Sequence, residues 1–197
     1  MSKVGKDYIF IHNPKCAGTS IEKIIGGSSH ETIYGYWKNG IDISKYNTFM
    51  IVRNPYERIV SAYGQLLRYN HHIKHISNIQ EILSSFENYI YSLDLFFDFT
   101  LLNYSESYTP VLDDHSAPQN YWCCIDGINV IDFIFKFEEL HIRWPEIQNM
   151  IGTKEKLPVL NKSGYGAKYL NYFNRSLLDV VNHKYKKSFL MFGYERL

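Results

Sequence analysis

The sequence has few cysteines, and their placement argues against a disulfide framework. Cys16, Cys123 and Cys124 are odd in number, and the two neighbours are poorly placed to pair with each other. This usage predicts free thiols in a reducing compartment, and hence a cytosolic protein. Their spacing does not match a zinc site. Three Asn-X-Ser sequons leave a trimmed luminal domain as the alternative location.

Long apolar runs are also missing. No stretch reaches the length of a membrane-spanning helix, and no signal peptide is recognisable, so we expect a soluble chain without a spanning segment. With 197 residues, 45% apolar residues and 21% charged ones, the chain is long enough to bury a substantial core. We predict one domain over residues 1–197, with residues 76–119 as a helical and loop cover over its site.

Basic residues are absent from the middle of the chain. Residues 76–135 carry nine acidic residues and no Lys or Arg, a local charge of −9. Residues 1–75 and 136–197 each carry an excess of five basic residues, so the net charge is only +1. The flanking segments suit an anionic ligand, whereas the acidic middle would repel a polyanion. Nucleic acid is therefore not an expected partner, because duplex binding needs a broad basic face.

Residues 8–20 combine a strand, a turn and a helix start. The apolar run Tyr8–Ile11 is of strand length, Pro14 stops it, and Lys15 and Gly18 occupy the turn before two hydroxyl residues. The first N–H groups of a helix, a turn lysine and a glycine without Cβ are the components of an anion site. The alternative is that Thr19 merely caps the helix and the lysine is solvated.

A second unit of the same kind follows. Thr48–Val52 is a continuous apolar run that ends at Arg53, and residues from Tyr56 onward take helical spacing. Two strand–turn–helix units predict a parallel sheet, and ligands of such sheets bind beyond the carboxyl ends of strands. Lys15 and Arg53 both lie at such ends, which favours a shared anionic ligand.

The remaining segments are predicted from their periodicity and turn residues. Residues 30–34 read as a short strand, and Ile59, Val60, Tyr63, Leu66 and Leu67 form the apolar side of the helix after Arg53. Further along, the pattern predicts a helical stretch over 76–104, an irregular loop over 105–119, a strand over 130–137, a helix over 138–151, a polar loop over 154–166 and a helix over 170–192.

Two motifs resemble those of the sulfotransferases that use 3'-phosphoadenosine-5'-phosphosulfate (PAPS). Residues 14–20, Pro-Lys-Cys-Ala-Gly-Thr-Ser, are similar to the loop that holds the 5'-phosphosulfate in that family. Residues 53–63, Arg-Asn-Pro-Tyr-Glu-Arg-Ile-Val-Ser-Ala-Tyr, are similar to the segment that holds the 3'-phosphate. The pattern is most similar to carbohydrate, Golgi-type sulfotransferase domains. The resemblance implies an α/β fold, a three-layer sandwich with a central parallel sheet and P-loop NTPase-like architecture.

The resemblance also implies a set of site residues. The residues expected to bind PAPS are Lys15, Cys16, Ala17, Gly18, Thr19, Ser20, Arg53, Ser61 and Lys162. Lys15 and His30 are the expected catalytic residues, as charge neutraliser and general base, while Glu31 and His115 are expected to line the acceptor site. Either of the last two is a rival for the base. No metal is expected, since sulfuryl transfer of this kind needs none.

The implied reaction moves a sulfuryl group from PAPS to an acceptor hydroxyl or amine and leaves 3'-phosphoadenosine-5'-phosphate (PAP). The charge pattern favours a neutral or cationic acceptor, such as a sugar, a lipid headgroup, a small alcohol or a tyrosine. Two alternatives are a small P-loop kinase, which shares the strand–loop–helix, and a catalytically silent nucleotide-binding protein of the same fold. Arg58 is expected on the helix surface, paired with an acid.

Overall fold

A computed structural model describes residues 4–27, 30–69, 78–97, 114–160 and 166–197. These residues form two compact units. The first unit contains residues 4–27, 30–53 and 119–160, and the second contains residues 54–69, 78–97, 114–118 and 166–197. The assignment of residues 1–197 to one domain, with residues 76–119 as its cover, stays a prediction.

A parallel sheet forms the centre of the first unit. Its strands are β1 (Tyr8–Ile11), β2 (Asn47–Val52) and β5 (Phe133–Lys136). They lie side by side in the order β1-β2-β5. Both neighbouring pairs are parallel. The predicted second apolar run is thus the central strand of the three, which is buried almost throughout because it has a neighbour on each side. Rings of Phe10 and Phe49 pack on one face, with centroids 4.9 Å apart.

Helices flank this sheet. In the first unit they are α1 (Gly18–Ile25), α2 (Ile33–Lys38), α7 (Gln119–Cys123) and α8 (Leu140–Ile151). A short antiparallel hairpin joins β3 (Cys124–Ile125) to β4 (Ile128–Asn129). The predicted α/β class with a parallel sheet is therefore confirmed. The helix predicted over residues 138–151 is confirmed by α8.

The predicted strand over residues 30–34 is wrong. Thr32 is extended and serves as the N-cap of α2, since its hydroxyl oxygen accepts the N–H of Gly35 at 3.0 Å. A threonine at this position offers the backbone a helix cap, which competes with strand pairing over so short a run. His30 therefore precedes a helix and does not open a strand.

The strand expected over residues 130–137 begins later, at Phe133. Asp132 makes reciprocal bonds with the start of β2: its carboxylate accepts from the N–H and the hydroxyl of Thr48, each at 2.8 Å. The N–H of Asp132 in turn donates to that hydroxyl oxygen at 2.9 Å. At Asp132, hydrogen bonds that involve side chains thus replace the backbone hydrogen bonds of strand pairing. Regular backbone pairing with β2 begins at the next residue, Phe133.

The second unit is helical. Its helices are α3 (Pro55–Tyr69), α4 (Ile79–Ile82), α5 (Phe86–Tyr91), α6 (Leu93–Phe96), α9 (Arg175–Lys184) and α10 (Lys186–Phe192). The helical stretch predicted over 76–104 is confirmed for 79–96, with breaks, while residues 98–113 lie outside the described ranges. The helix predicted over 170–192 consists of α9 and α10, preceded by a 3-10 turn. Nowhere in the described ranges is a helix both long and apolar enough to cross a membrane.

Two predictions about α3 are wrong. Leu67 was expected on the apolar side but is 39% exposed, although Ile59, Val60, Tyr63 and Leu66 are buried as predicted. Arg58 was expected at the helix surface, yet it is only 1% exposed. It lies one position from Ile59 on the helix, so the buried face of α3 is wider than a simple apolar stripe.

Candidate functional site

The loop between β1 and α1 has an unusual backbone. Lys15 and Ala17 adopt left-handed conformations, with φ of 68° and 64°. Residues with a Cβ adopt such angles at a cost of about 1–3 kcal/mol each, and strain of this kind is often found at ligand sites. Left-handed residues alternating with other conformations turn successive N–H groups toward one concave side, where an anion binds.

The helix after this loop begins at Gly18. The N-cap is Ala17, whose carbonyl accepts the N–H of Ser20 at 3.0 Å and that of Ile21 at 3.2 Å. No side chain caps the helix, so the alternative in which Thr19 is the cap is wrong. The N–H groups of Gly18 and Thr19 have no acceptor within the helix, and the helix dipole adds positive potential there. This end of α1 is therefore suited to a phosphate or sulfate group.

Gly18 is in close contact with His12. A Cβ on Gly18 would overlap the Nε2 edge of the His12 ring, and the opposite edge donates from Nδ1 to a Glu22 carboxylate oxygen at 2.7 Å. Both side chains of this hydrogen-bonded pair are nearly buried. The glycine was predicted from its access to a phosphate, but the structure gives a second reason for it: the helix start packs directly on an imidazole ring.

Arg53 lies at the end of β2 and contacts the same loop. Its Nη1 donates to the carbonyl of Lys15 at 3.3 Å, and its guanidinium carbon lies 4.5 Å from the centroid of the Phe137 ring. The side chain is held by both contacts, and the residue is only 7% exposed. The structure thus brings Lys15 and Arg53 together. The sequence had placed both residues at the carboxyl ends of parallel strands, where ligands bind.

His30 and Glu31 take different positions. The ring of His30 stands edge-on to the ring of His12 at a centroid distance of 4.4 Å, and to that of Trp122 at 6.1 Å. It is exposed, beside the residue that packs on Gly18. Glu31 accepts the N–H of Thr32 at 3.0 Å, so its carboxylate lies at the start of α2. The alternation argument used to separate the two residues does not apply, because they are not in a strand.

Three of the expected residues lie outside the described part of the first unit. Ser61, buried in α3, and His115 belong to the second unit, where a ring nitrogen of His115 is 3.1 Å from the side-chain amide of Gln65. Lys162 lies outside the described residues. In the parts of the chain that the structure describes, no group of three or more His, Cys, Asp or Glu side chains could hold a metal ion.

The three cysteines are free thiols. Cys16 points into the core between the two left-handed residues of the loop. The Sγ atoms of Cys123 and Cys124 are 3.7 Å apart, and their hydrogen bond together with burial raises the pKa of the Cys123 thiol. A raised pKa disfavours the nucleophilic thiolate, so Cys123 is not activated for covalent catalysis.

Sequence reasoning missed His12, Asn13 and the role of Gln119. Gln119 had been placed only at the end of the irregular loop predicted over 105–119, yet its side chain bonds to both Asn13 and Arg53. The available signal in the sequence was weak. His12 and Asn13 are two polar residues directly after an apolar strand, and such residues are equally typical of an ordinary turn. Their burial is the property that marks them, and burial is not visible in the pattern.

A family model described as "Sulfotransferase family" matches residues 6–195, almost the entire chain. The matched range includes the loop after β1, the end of β2 and the three histidines discussed above, His12, His30 and His115. No curated protein and no solved structure matches the chain.

The contact between Gly18 and His12 predicts a specific coupling between two substitutions. Gly18→Ala should destabilise the protein by about 1–3 kcal/mol, because the new methyl group has no room beside the imidazole. In a His12→Ala background, the same change should cost close to nothing. Urea unfolding of the four variants measures the difference. Thr19→Ala, an exposed change in the same turn, is the matched control. An equal cost in both backgrounds would contradict this account of Gly18.

Proposed function

The chain belongs to the sulfotransferase family, a PAPS-dependent enzyme family, and we propose on that premise that it transfers a sulfuryl group from PAPS to an acceptor hydroxyl or amine. When PAPS is bound, the bond between sulfur and the bridging phosphate oxygen breaks, a bond from the acceptor atom to sulfur forms, and PAP leaves. The acceptor proton must pass to a base. Membership of this family sets aside the small P-loop kinase.

The contact between Arg53 and the Lys15 carbonyl carries this proposal. PAPS has anionic groups at its 5' and 3' positions, so it requires two cationic sites at one edge of the sheet. The 3.3 Å contact holds the guanidinium next to the loop that precedes α1. The Arg53 guanidinium, the backbone of Lys15 and the start of α1 therefore lie together in the first unit, which supports one ligand that uses all three.

The 5' end of PAPS fits the loop. The N–H groups of Gly18 and Thr19 would donate to the phosphosulfate, and the left-handed Lys15 and Ala17 shape the concavity that receives it. The Lys15 ammonium would neutralise the charge that develops on the leaving nucleotide. Removing one such donor from a preorganised site typically lowers the rate by about 10²–10³-fold.

The 3' end of PAPS is assigned to Arg53, with Ser61 and Lys162 as further ligands of the same phosphate. Support for Arg53 is its position at the end of β2, with the planar guanidinium held between Phe137 and the loop. Each charge-assisted hydrogen bond of this kind contributes about 1.5–3 kcal/mol. Ser61 and Lys162 rest on the motif resemblance alone.

His30 is the proposed general base. It is exposed, and its ring contacts His12, which in turn packs on the first residue of α1. A positioned base contributes about 10²–10⁴-fold to a proton-coupled transfer. Glu31 is the less favoured candidate since its carboxylate is engaged at the start of α2. His115 is retained as an acceptor-lining residue.

The acceptor is proposed to be a neutral or cationic small molecule, or a carbohydrate or lipid that presents a hydroxyl group. The support is the acidic segment 76–135, which carries nine Asp or Glu residues and no Lys or Arg. Such a segment would repel sulfated or phosphorylated polymers. A cytosolic location stays an expectation from cysteine usage.

Lys15→Ala should abolish transfer, with a loss of at least about 100-fold, because the charge on the leaving group is no longer neutralised. The measurement is transfer of labelled sulfate from PAPS to a panel of sugar, lipid, alcohol and tyrosine acceptors. Lys23→Ala, on the exposed side of α1, is the control and should keep full activity. Unchanged turnover in the Lys15 variant would remove this residue from the mechanism.

Arg53→Ala should weaken binding of PAP by about 10–100-fold while the affinity for AMP, which lacks the 3'-phosphate, changes little. Calorimetric titration of both nucleotides gives the ratio directly. Arg143→Ala is the matched control, since that arginine also lies over a phenylalanine ring of the first unit but pairs with Glu146 at the surface. Equal losses for the two nucleotides would refute the 3'-phosphate assignment.

His30→Ala should slow the single-turnover rate by about 10²-fold or more, and added imidazole should restore part of it. Glu31→Gln should leave that rate within a few-fold of the unmodified protein, and His141→Ala, on an exposed face of α8, serves as the control. If neither His30→Ala nor Glu31→Gln slows the chemical step, His115 becomes the base to test. If the unmodified protein binds the nucleotide but transfers no sulfate to any acceptor, the chain is the catalytically silent binding protein.

A further inference from the structure

The side chain of Gln119 holds the backbone of Arg53 from both sides. Gln119 is the first residue of α7 and is fully buried. Its Oε1 accepts the N–H of Arg53 at 2.8 Å, and its Nε2 donates to the Arg53 carbonyl at 2.7 Å. A strand residue exchanges the same pair of bonds with an antiparallel neighbour. The amide thus fixes the residue that follows β2 as a further strand would.

The same amide oxygen also reaches the loop after β1. Nδ2 of Asn13 donates to Oε1 of Gln119 at 2.9 Å and to the carbonyl of Ile51 at 2.9 Å. The thiol of Cys16 is 3.5 Å from that Oε1. The orientation of the amide is determined by these partners, because a flip would set NH₂ groups against the donors and an oxygen against a carbonyl.

We propose that Gln119 is a positioning residue that fixes the separation between Arg53 and the loop 15–20, and so lets one nucleotide engage both anion sites. This inference rests on the proposed PAPS site and adds to it. Gln119 is fully buried and acts through Arg53 and Asn13. Its effect is therefore on ligands that span the two sites and not on ligands that use one.

The geometry gives this role a distinctive signature. When two binding groups sit on one ligand, the second contact profits from a high effective concentration only if the spacing of the sites matches the ligand. Loss of the Gln119 side-chain hydrogen bonds should leave each site able to bind its own phosphate. The gain in affinity from binding both phosphates of one ligand should be lost. Neither a general loss of folding nor a direct contact of Gln119 with one phosphate has that pattern.

The experiment compares three ligands, PAP, AMP and adenosine 3'-monophosphate, on the full chain by calorimetric titration. In Gln119→Met, the affinity for PAP should fall by about tenfold or more, whereas the affinities for the two monophosphates should each change by less than about threefold. Ile147→Ala, a cavity change in the core of the same unit, controls for stability and should leave the PAP to AMP ratio unchanged.

Gln119→Glu adds a pH readout. A protonated Glu side chain presents one acceptor and one O–H donor, as the amide does, whereas the carboxylate sets an oxygen against the Arg53 carbonyl. Relative to the unmodified protein at each pH, the PAP affinity of this variant should be low near about pH 8 and recover toward about pH 5.5, because burial favours the protonated acid. A purely structural filler at this position would show no such recovery.

Equal losses for all three ligands in Gln119→Met, or an unchanged PAP affinity, would overturn the positioning role. If Gln119→Met does not fold, Asn13→Ala takes its place and should show the same pattern with a smaller amplitude, since Gln119 still holds Arg53. If the unmodified protein binds PAP no more tightly than AMP, the proposed function fails. That result is distinct from failure of the positioning role, which appears only in the variants.

Discussion

Pairing of buried backbone groups at the ends of β1 and β2 is the constraint on which the site depends. Where a strand leaves its sheet inside a protein, the N–H and C=O groups must find new partners, because an unpaired buried group costs about 1–3 kcal/mol. Gln119 supplies both partners for Arg53, and Asn13 supplies a donor for Ile51. The arginine side chain can be aimed at the loop because its own backbone is fixed in this way.

The elements predicted correctly are those whose sequence pattern and burial agree. β1 and β2 are continuous apolar runs that end at polar residues, and α3 begins at Pro55, a residue favoured in the first turn of helices. Residues 30–34 were assigned wrongly because a run of five residues is too short to distinguish a strand from a capped helix start. Arg58 was misplaced for another reason: a charged residue is normally solvated, and only tertiary packing buries it.

The site was predictable only as far as it follows from topology. Carboxyl ends of neighbouring parallel strands share one edge of a sheet, so Lys15 and Arg53 could be brought together without coordinates. Gln119 is 66 positions from Arg53 and 106 from Asn13, and no local periodicity relates residues so far apart. The His12–Glu22 pair could not be found either, since a histidine after a strand is more often an ordinary turn residue.

The loop after β1 shows how strain and packing balance at the proposed ligand site. Lys15 and Ala17 both adopt left-handed angles that glycine would take without cost, yet glycine occupies position 18, which has an ordinary backbone. That position requires a missing Cβ for a different reason, the contact with His12. Between the two strained residues, Cys16 packs into the core beside the sheet, and its burial offsets part of the strain. The loop therefore keeps its shape through the buried side chains beneath it, so its N–H groups are held in place without a ligand.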